Sequence, residues 1–580
     1  MIVGLAERGL HRAILAGLLL LLAASRFAPA QSSPPNAAAR TLPVINVTTR
    51  LVYVDVVVRD ANGQPVHNLN QQDFRVEEDG RQQKVDFFAP HTSDETPAPA
   101  APSAMAPTEF SNVPTQKNSP AVNMILFDLV NTPQLDQLYA RRQLLKFLRE
   151  LPQGQQIALF ALSDRLHMIQ SFTSSSDQLV AAASAIDAKD FRLIRSSSQI
   201  MNDADFLNNF LQAMGRDPGQ IGAHMRKDQV VEDARTGDRR ARVTLQAFAE
   251  LANAVSGYPG RKNLFWLSED FPLTPTLELQ FNDLSLGARF AIADLPGARD
   301  TANLVASAQI AVYPISLTGL DTGAIGSEIS GSGEVSGGSG QMNITAQNQF
   351  AVRQQMRSTM EDLARQTGGE AFYGSNDFAG ALQRSLAAGS NYYTLAYRPS
   401  NQRWDGRLRK VHVELAHKGD SLMYRHGYYA IQDTQPGEAA QQLDFALQPE
   451  TPQSTMLLLR SKVIETSGLQ RGVTLDCNLD AGNVAFTETP DEHRHAQLLV
   501  KLVAFNDSGP QPATAPQNAG MLNVDFDPAH YQLVLKDGIA FRPHLTLPPG
   551  KYRIRLGVTD MQNHRTGTLD IPFTLAAASP

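Results

Sequence analysis

The sequence predicts a multidomain chain: a small N-terminal β unit, an open-sheet α/β domain and a C-terminal β-sandwich. Three observations predict it. Near the N-terminus, apolar residues alternate with period two. From Ala121, short apolar runs alternate with segments of helical spacing, as in an open sheet covered by helices on both faces. Beyond residue 432, β segments follow one another between turns, which calls for two packed antiparallel sheets.

The first thirty residues read as a signal peptide. Arg8 and Arg12 precede the apolar run Ala13 to Ala24, and Ala28 and Ala30 supply the small residues of a cleavage site. The run is shorter than the ~20 residues of a spanning helix. Cleavage after Ala30 is therefore expected, with the protein periplasmic, envelope-associated or secreted. No later segment is long and apolar enough to span a bilayer. The remainder is too long for one core and enough for several domains. Lys and Arg number 51 against 58 Asp and Glu, and no basic block occurs, which argues against nucleic acid or anionic lipid as partner. Cys477 is the one cysteine, so no intramolecular disulfide can form.

Residues 31–43, rich in Pro, Ala and Ser, read as a disordered leader. Residues 44–88 form the small β unit. Val52, Val54, Val56 and Val58 mark a buried strand face, while Asn62-Gly63 and Asp79-Gly80 mark hairpins. A unit this small should lean on a neighbour. Residues 89–120 have the composition of a linker.

The α/β domain is expected over 121–432. Its strands are Val122 to Asp128, Ile157 to Leu162, Asn263 to Leu267, Ile310 to Ile315 and Tyr392 to Tyr397. Continuous apolar runs of this kind suit a parallel sheet buried on both faces, in a Rossmann-like layout. Helical spacing appears in Gln134 to Leu151, Ala241 to Val255, Val352 to Leu363 and Phe378 to Leu386. Gly368-Gly369 ends the third of these. Two insertions, 190–240 and 319–341, interrupt the pattern. The sandwich is expected over 446–580. Its strands are Met456 to Ile464, Val473 to Asn478, Ala496 to Phe505, Tyr531 to Val534, Tyr552 to Asp560 and Thr568 to Leu575.

In an open α/β sheet, ligands meet the carboxyl ends of the strands. Asp128 closes the first strand there, followed by Asn131 and Thr132 at the entry to a helix. An aspartate followed by amide and hydroxyl side chains can hold a hard cation. Helix capping accounts equally for Asn131 and Thr132, though not for Asp128. His493 and His495 read as a surface pair, and Asp164 as a loop carboxylate without a role. The sequence shows no Gly-x-Ser-x-Gly, no His-Glu-x-x-His and no phosphate-binding glycine loop.

The run Tyr53 to Asp60, Asn62-Gly63, Leu69, Asp73-Phe74 and Glu78-Asp79-Gly80 resembles the lead-in of the VWFA-related domain of exported acidobacterial proteins. Phe127-Asp128 with Asn131-Thr132, Gly260 to Asn263, Leu264 to Asp270, Tyr392 to Tyr397 and Asp405-Gly406 extend that resemblance. It covers roughly residues 44–430 and implies a von Willebrand factor type A fold. That fold implies a metal-ion-dependent adhesion site with Mg²⁺ or another divalent cation. By that resemblance the ligands would be Asp128, Thr132, Glu269 and Asp270, with Val130 where a serine is usual. Ser196 to Ser198 are the candidates for the second loop. The site is thus a degenerate one.

The expected function is a binding module that contacts a protein or an envelope polymer, without enzymatic activity. A structural envelope scaffold with a vestigial site is the first rival, and a hydrolase acting on envelope material the second.

Overall fold

Apolar runs are stable inside, and the chain places them there, with the charged residues Asp128, Arg261 and Lys262 at the strand ends. Every residue of Ala121–Asp128, Ile157–Leu162 and Arg261–Ser268 is buried in the computed structural model. The chain divides into two units, Met1–Asn46 and Val47–Pro580. The structure describes residues 51–92, 106–114, 121–132, 134–151, 155–186, 221–269, 298–317, 354, 356–374, 377–416, 419–431, 438–449, 451–466, 471–506 and 517–576. The signal peptide, the leader, the 319–341 insertion and Ser196 to Ser198 lie outside these residues. Among them, no helix is long and apolar enough to cross a membrane.

The α/β sheet has five strands in the spatial order Ile310–Ser316, Arg261–Ser268, Ala121–Asp128, Ile157–Leu162, Leu166–Thr173. The first four are parallel and the last is an antiparallel edge, joined to its neighbour by a tight turn. Two hydrophobic clusters cover the two faces. One packs Phe248, Leu251 and Val255 of helix Ile221–Val255 against Met124, Leu126 and Trp266. The other packs Leu144, Phe147 and Leu148 of helix Gln134–Arg149 against Ile125, Phe127 and Phe265. The chain order reverses between Ala121–Asp128 and Arg261–Ser268, so the crevice at their carboxyl ends is the topological switch point.

Tyr392–Tyr397 does not join this sheet, contrary to the sequence expectation. It pairs antiparallel with Val52–Arg59 and Val85–His91. Its tyrosines supply the reason. Tyr393 and Tyr397 fill a separate core with Val54, Val56 and Val76, while Tyr392 faces Ala121. A second sheet of Gly427–Tyr429, Leu408–Leu415, Phe74–Glu78 and Arg81–Gln83 closes that core. The neighbour on which the N-terminal strands lean is therefore residues 392–430 of the same chain.

The C-terminal region has two antiparallel sheets sharing one core, which includes Leu459, Leu475, Leu498, Leu556 and Ile571. Two elements differ from expectation. Tyr531 to Val534, expected as strand, lies in helix Pro528–Asp537. Asp527 caps that helix by accepting from Ala529 and His530 backbone N–H groups, Pro528 opens it, and Gly538 closes it at φ 83°. Strand Gln517–Phe526 was not foreseen; its first half is exposed, and only Leu522, Val524 and Phe526, alternating with Asn523 and Asp525, turn toward the core. Parts of the presumed linker are also structured. Ala89 to His91 continue a strand, and Glu109–Ser111 pairs with Leu459–Thr466. Helix Glu438–Ala446 packs on Gly550–Asp560, so the C-terminal region starts before residue 446.

Ser454 and Thr455 join this region to the α/β domain. Their hydroxyls donate to the carbonyls of Asn253 and Ala254, and Thr455 N–H donates to Asn253 as well. These are carbonyls of a last helical turn, which lack partners within the helix. Beside the joint, Glu250 is buried with only a Gln246 side-chain bond at 3.3 Å. Burial pushes its carboxyl up to about 7, against the pull of Gln246, Arg165 and Arg555. With the folded value above the ordinary one, the native state holds the extra proton between these two pH values. Glu250 thus favours folding in acid, and that contribution is lost as pH rises through 7. Glu250→Gln is expected to match wild type near pH 4.5 and to exceed it at pH 8 by about 3 kcal/mol. Denaturant unfolding at the two pH values checks this; a constant difference between the proteins would refute it.

Candidate functional site at the carboxyl edge of the sheet

Asp128 ends the central strand at the switch point and is fully buried. A residue at the carboxyl end, where ligands meet the sheet, would be expected to face solvent; Asp128 instead is closed off from it. Its Oδ1 accepts from the backbone N–H of Val130 and of Asn131, each at 3.0 Å. This is the local turn that an aspartate makes with residues just after it. Its Oδ2 accepts from Asn131 Nδ2 at 2.7 Å, Trp266 Nε1 at 2.9 Å and Ser268 Oγ at 3.1 Å. The parallel pairing of Phe127 with Leu267 brings Trp266 and Ser268 within reach.

The loop is tied down from three further directions. Asn131 Nδ2 also donates to Thr244 Oγ1 on the long helix, whose hydroxyl in turn donates to Arg240 O. Gln137 Nε2 donates to the carbonyls of Leu129 and Thr132. Thr132 Oγ1 accepts from the backbone N–H of Glu269 at 3.3 Å. Burial raises the Asp128 pKa, and the bonds from Asn131, Trp266 and Ser268 oppose that rise.

The structure thus brings together three of the four residues expected from sequence, Asp128, Thr132 and Glu269; Asp270 lies outside the described residues. Around the Asp128 carboxylate they do not fit a divalent cation, although Asn131 Oδ1 and Gln137 Oε1 nearby are buried without a hydrogen-bond partner. Such an ion needs oxygen lone pairs directed at it. Here two backbone N–H groups, an amide, an indole and a hydroxyl direct hydrogens at the carboxylate. Val130 adds an apolar side chain, and the Thr132 hydroxyl already accepts a bond. Among the described residues, no group of three or more His, Cys, Asp or Glu side chains is placed to hold a metal.

Trp266, Ser268 and Thr244 were not anticipated from sequence. A signal existed for Trp266: an indole N–H inside an apolar strand needs a buried acceptor. His493 and His495 flank Asp525 at 2.7 and 3.6 Å, with all three side chains substantially exposed. Asp164 bonds to Ser163 Oγ at 2.9 Å in the turn before the edge strand.

No family model matches the chain, and no curated protein matches it. Solved structures similar to it include von Willebrand factor type A domains. A von Willebrand factor type A protein from Catenulispora acidiphila is 10% identical, with a TM-score of 0.23, covering 60% of this chain and 74% of that one. The ArnB paralog VWA2 from Sulfolobus acidocaldarius is 7% identical at a TM-score of 0.20, covering 87% and 76%. An aerotolerance-related membrane protein from Bacteroides fragilis is 10% identical at 0.23, covering 46% and 98%.

Proposed function

We propose that this chain is an exported, non-catalytic binding module whose α/β domain presents its carboxyl-edge loops to a protein or envelope polymer. The observation that carries this reading is the anchoring of residues 129–132 around Asp128. Five donors and the Gln137 clamp fix these residues at the switch point. These residues are themselves buried and frame the exposed turn at Asp164 beside them; a turn held in one conformation loses little entropy when it meets a partner. Its engagement does not pass through a cation, because the site carries hydrogen donors where a cation would need ligands.

The test is capture of partners from the producing cell's envelope fraction by the immobilised full chain, with and without a chelator. Capture that is equal in both arms, and reduced by Asp164→Arg on the exposed turn beside the loop, is the expected result. Loss of capture with chelator would overturn the metal-free reading. Equal capture by Asp164→Arg would move the binding surface elsewhere.

A further inference from the structure

At the opposite edge of the sheet, where Arg261 and Ile310 begin their strands, lies a cavity of about 460 Å³. It is enclosed by the long helix, helix Ala298–Ser307 and the strands of the N-terminal β region. Asn303 fixes the second helix to this region: its amide donates to Tyr429 O and accepts from Tyr429 N–H, at 2.9 and 3.0 Å. The size falls within the ~300–1,000 Å³ of small-molecule sites, which favour domain junctions such as this one.

The two sides of the cavity differ in chemistry. Leu245, Phe248, Val305 and Ile310 form an apolar wall. The other side carries Arg261, Lys410 and Arg425 against the single carboxylate of Asp55, so the lining is net positive. Most of these groups are already engaged. Asp55 accepts from Thr394 Oγ1 at 2.7 Å and from Gln309 Nε2 at 3.2 Å. Arg261 donates to Asn263, Tyr313 and the Gly368 carbonyl.

Arg425 is different. It lies between strands Ser421–Met423 and Gly427–Tyr429, and its guanidinium lies 5.9 Å from the Tyr428 ring. It makes no side-chain hydrogen bond or ion pair with any described residue, and its Nε is closed off from solvent. A buried donor left unmade is costly, and more so when charged. Burial also pulls its pKa below the usual arginine range. Lys410 stands on the same side with an exposed side chain.

We propose that this cavity binds a small molecule with a carboxylate head and an apolar body, the head on Arg425 and the body against the Leu245 and Phe248 wall. A guanidinium offers a carboxylate two parallel hydrogen bonds, which a neutral or cationic head cannot accept in the same way. The site is independent of the Asp128 edge, because it lies at the other ends of the strands.

Calorimetric titration of the full chain with octanoate, 1-octanol and octylamine tests the proposal. Octanoate is expected to bind at one site, and the alcohol and amine at least tenfold more weakly. Arg425→Gln should weaken octanoate at least tenfold without lowering the thermal midpoint of the unliganded protein, since it removes a partly buried guanidinium that has no hydrogen-bond partner among the described residues. Ala302→Leu, which fills the cavity from the helix side, should abolish binding even if the first variant folds poorly. Absence of octanoate binding to wild type would overturn the proposal. So would equal binding of the three probes, or octanoate affinity unchanged in Ala302→Leu.

Discussion

Asp128→Ala is expected to destabilise the protein by about 3–5 kcal/mol, because several buried donors lose their acceptor at about 1–3 kcal/mol each. The carboxylate is the common acceptor for Val130, Asn131, Trp266 and Ser268. Its loss leaves an indole N–H and backbone N–H groups facing the space that the carboxylate filled. Denaturant unfolding measures the effect, with Trp266 as a built-in reporter, since its indole loses a bond and its fluorescence should shift. A variant as stable as wild type would mean that water or a neighbouring carbonyl replaces the carboxylate, and the anchoring of the loop would have to be abandoned. Addition of Mg²⁺ or Mn²⁺ should leave both proteins unchanged.

Gly369→Ala should be at least as severe. A β-carbon at this position would lie 1.9 Å from the Val312 carbonyl oxygen and 2.7 Å from its carbon, both backbone atoms of the sheet's edge strand Ile310–Ser316. A flexible side chain could move aside; a strand carbonyl held in a sheet cannot. Overpacking of this kind costs about 1–3 kcal/mol where neighbours can adjust and more where they cannot. The neighbouring Gly368 sits at φ 80°, so the pair turns the chain sharply out of the helix covering 356–367. The expected result is little folded protein from Gly369→Ala and a milder loss from Ala364→Gly, a control in the same helix. Normal yield and midpoint for Gly369→Ala would show that the strand yields after all.

Much of the α/β sheet was legible because burial on both faces forces uninterrupted apolar runs such as Ile157–Leu162. The position of Asp128 was legible for the same reason, as the first polar interruption at a strand end. Its environment was not. Trp266 and Ser268 are 138 and 140 positions away, and nothing local reveals that they converge on one carboxylate. Tyr392–Tyr397 shows the matching limit: a run buried on both faces reads the same in any sheet, and only its partners decide which. At Tyr531 to Val534 the apolar residues suggested a strand, whereas Asp527-Pro528 and Gly538 already carried the start and stop of a helix.

The pairing of the first strand carries a consequence for biogenesis. Asp55 and its partner Thr394 stand 339 positions apart. While the chain emerges, Val52–Arg59 presents its valines and unpaired edges with no partner, for the whole time that the intervening α/β domain is being made. Unpaired apolar strands of this kind recruit one another between molecules. Closure of so long a loop also makes the final pairing slow relative to local events. The newly made protein therefore depends on whatever shields exposed strands where it folds, and its yield should fall with concentration more steeply than its finished stability would indicate.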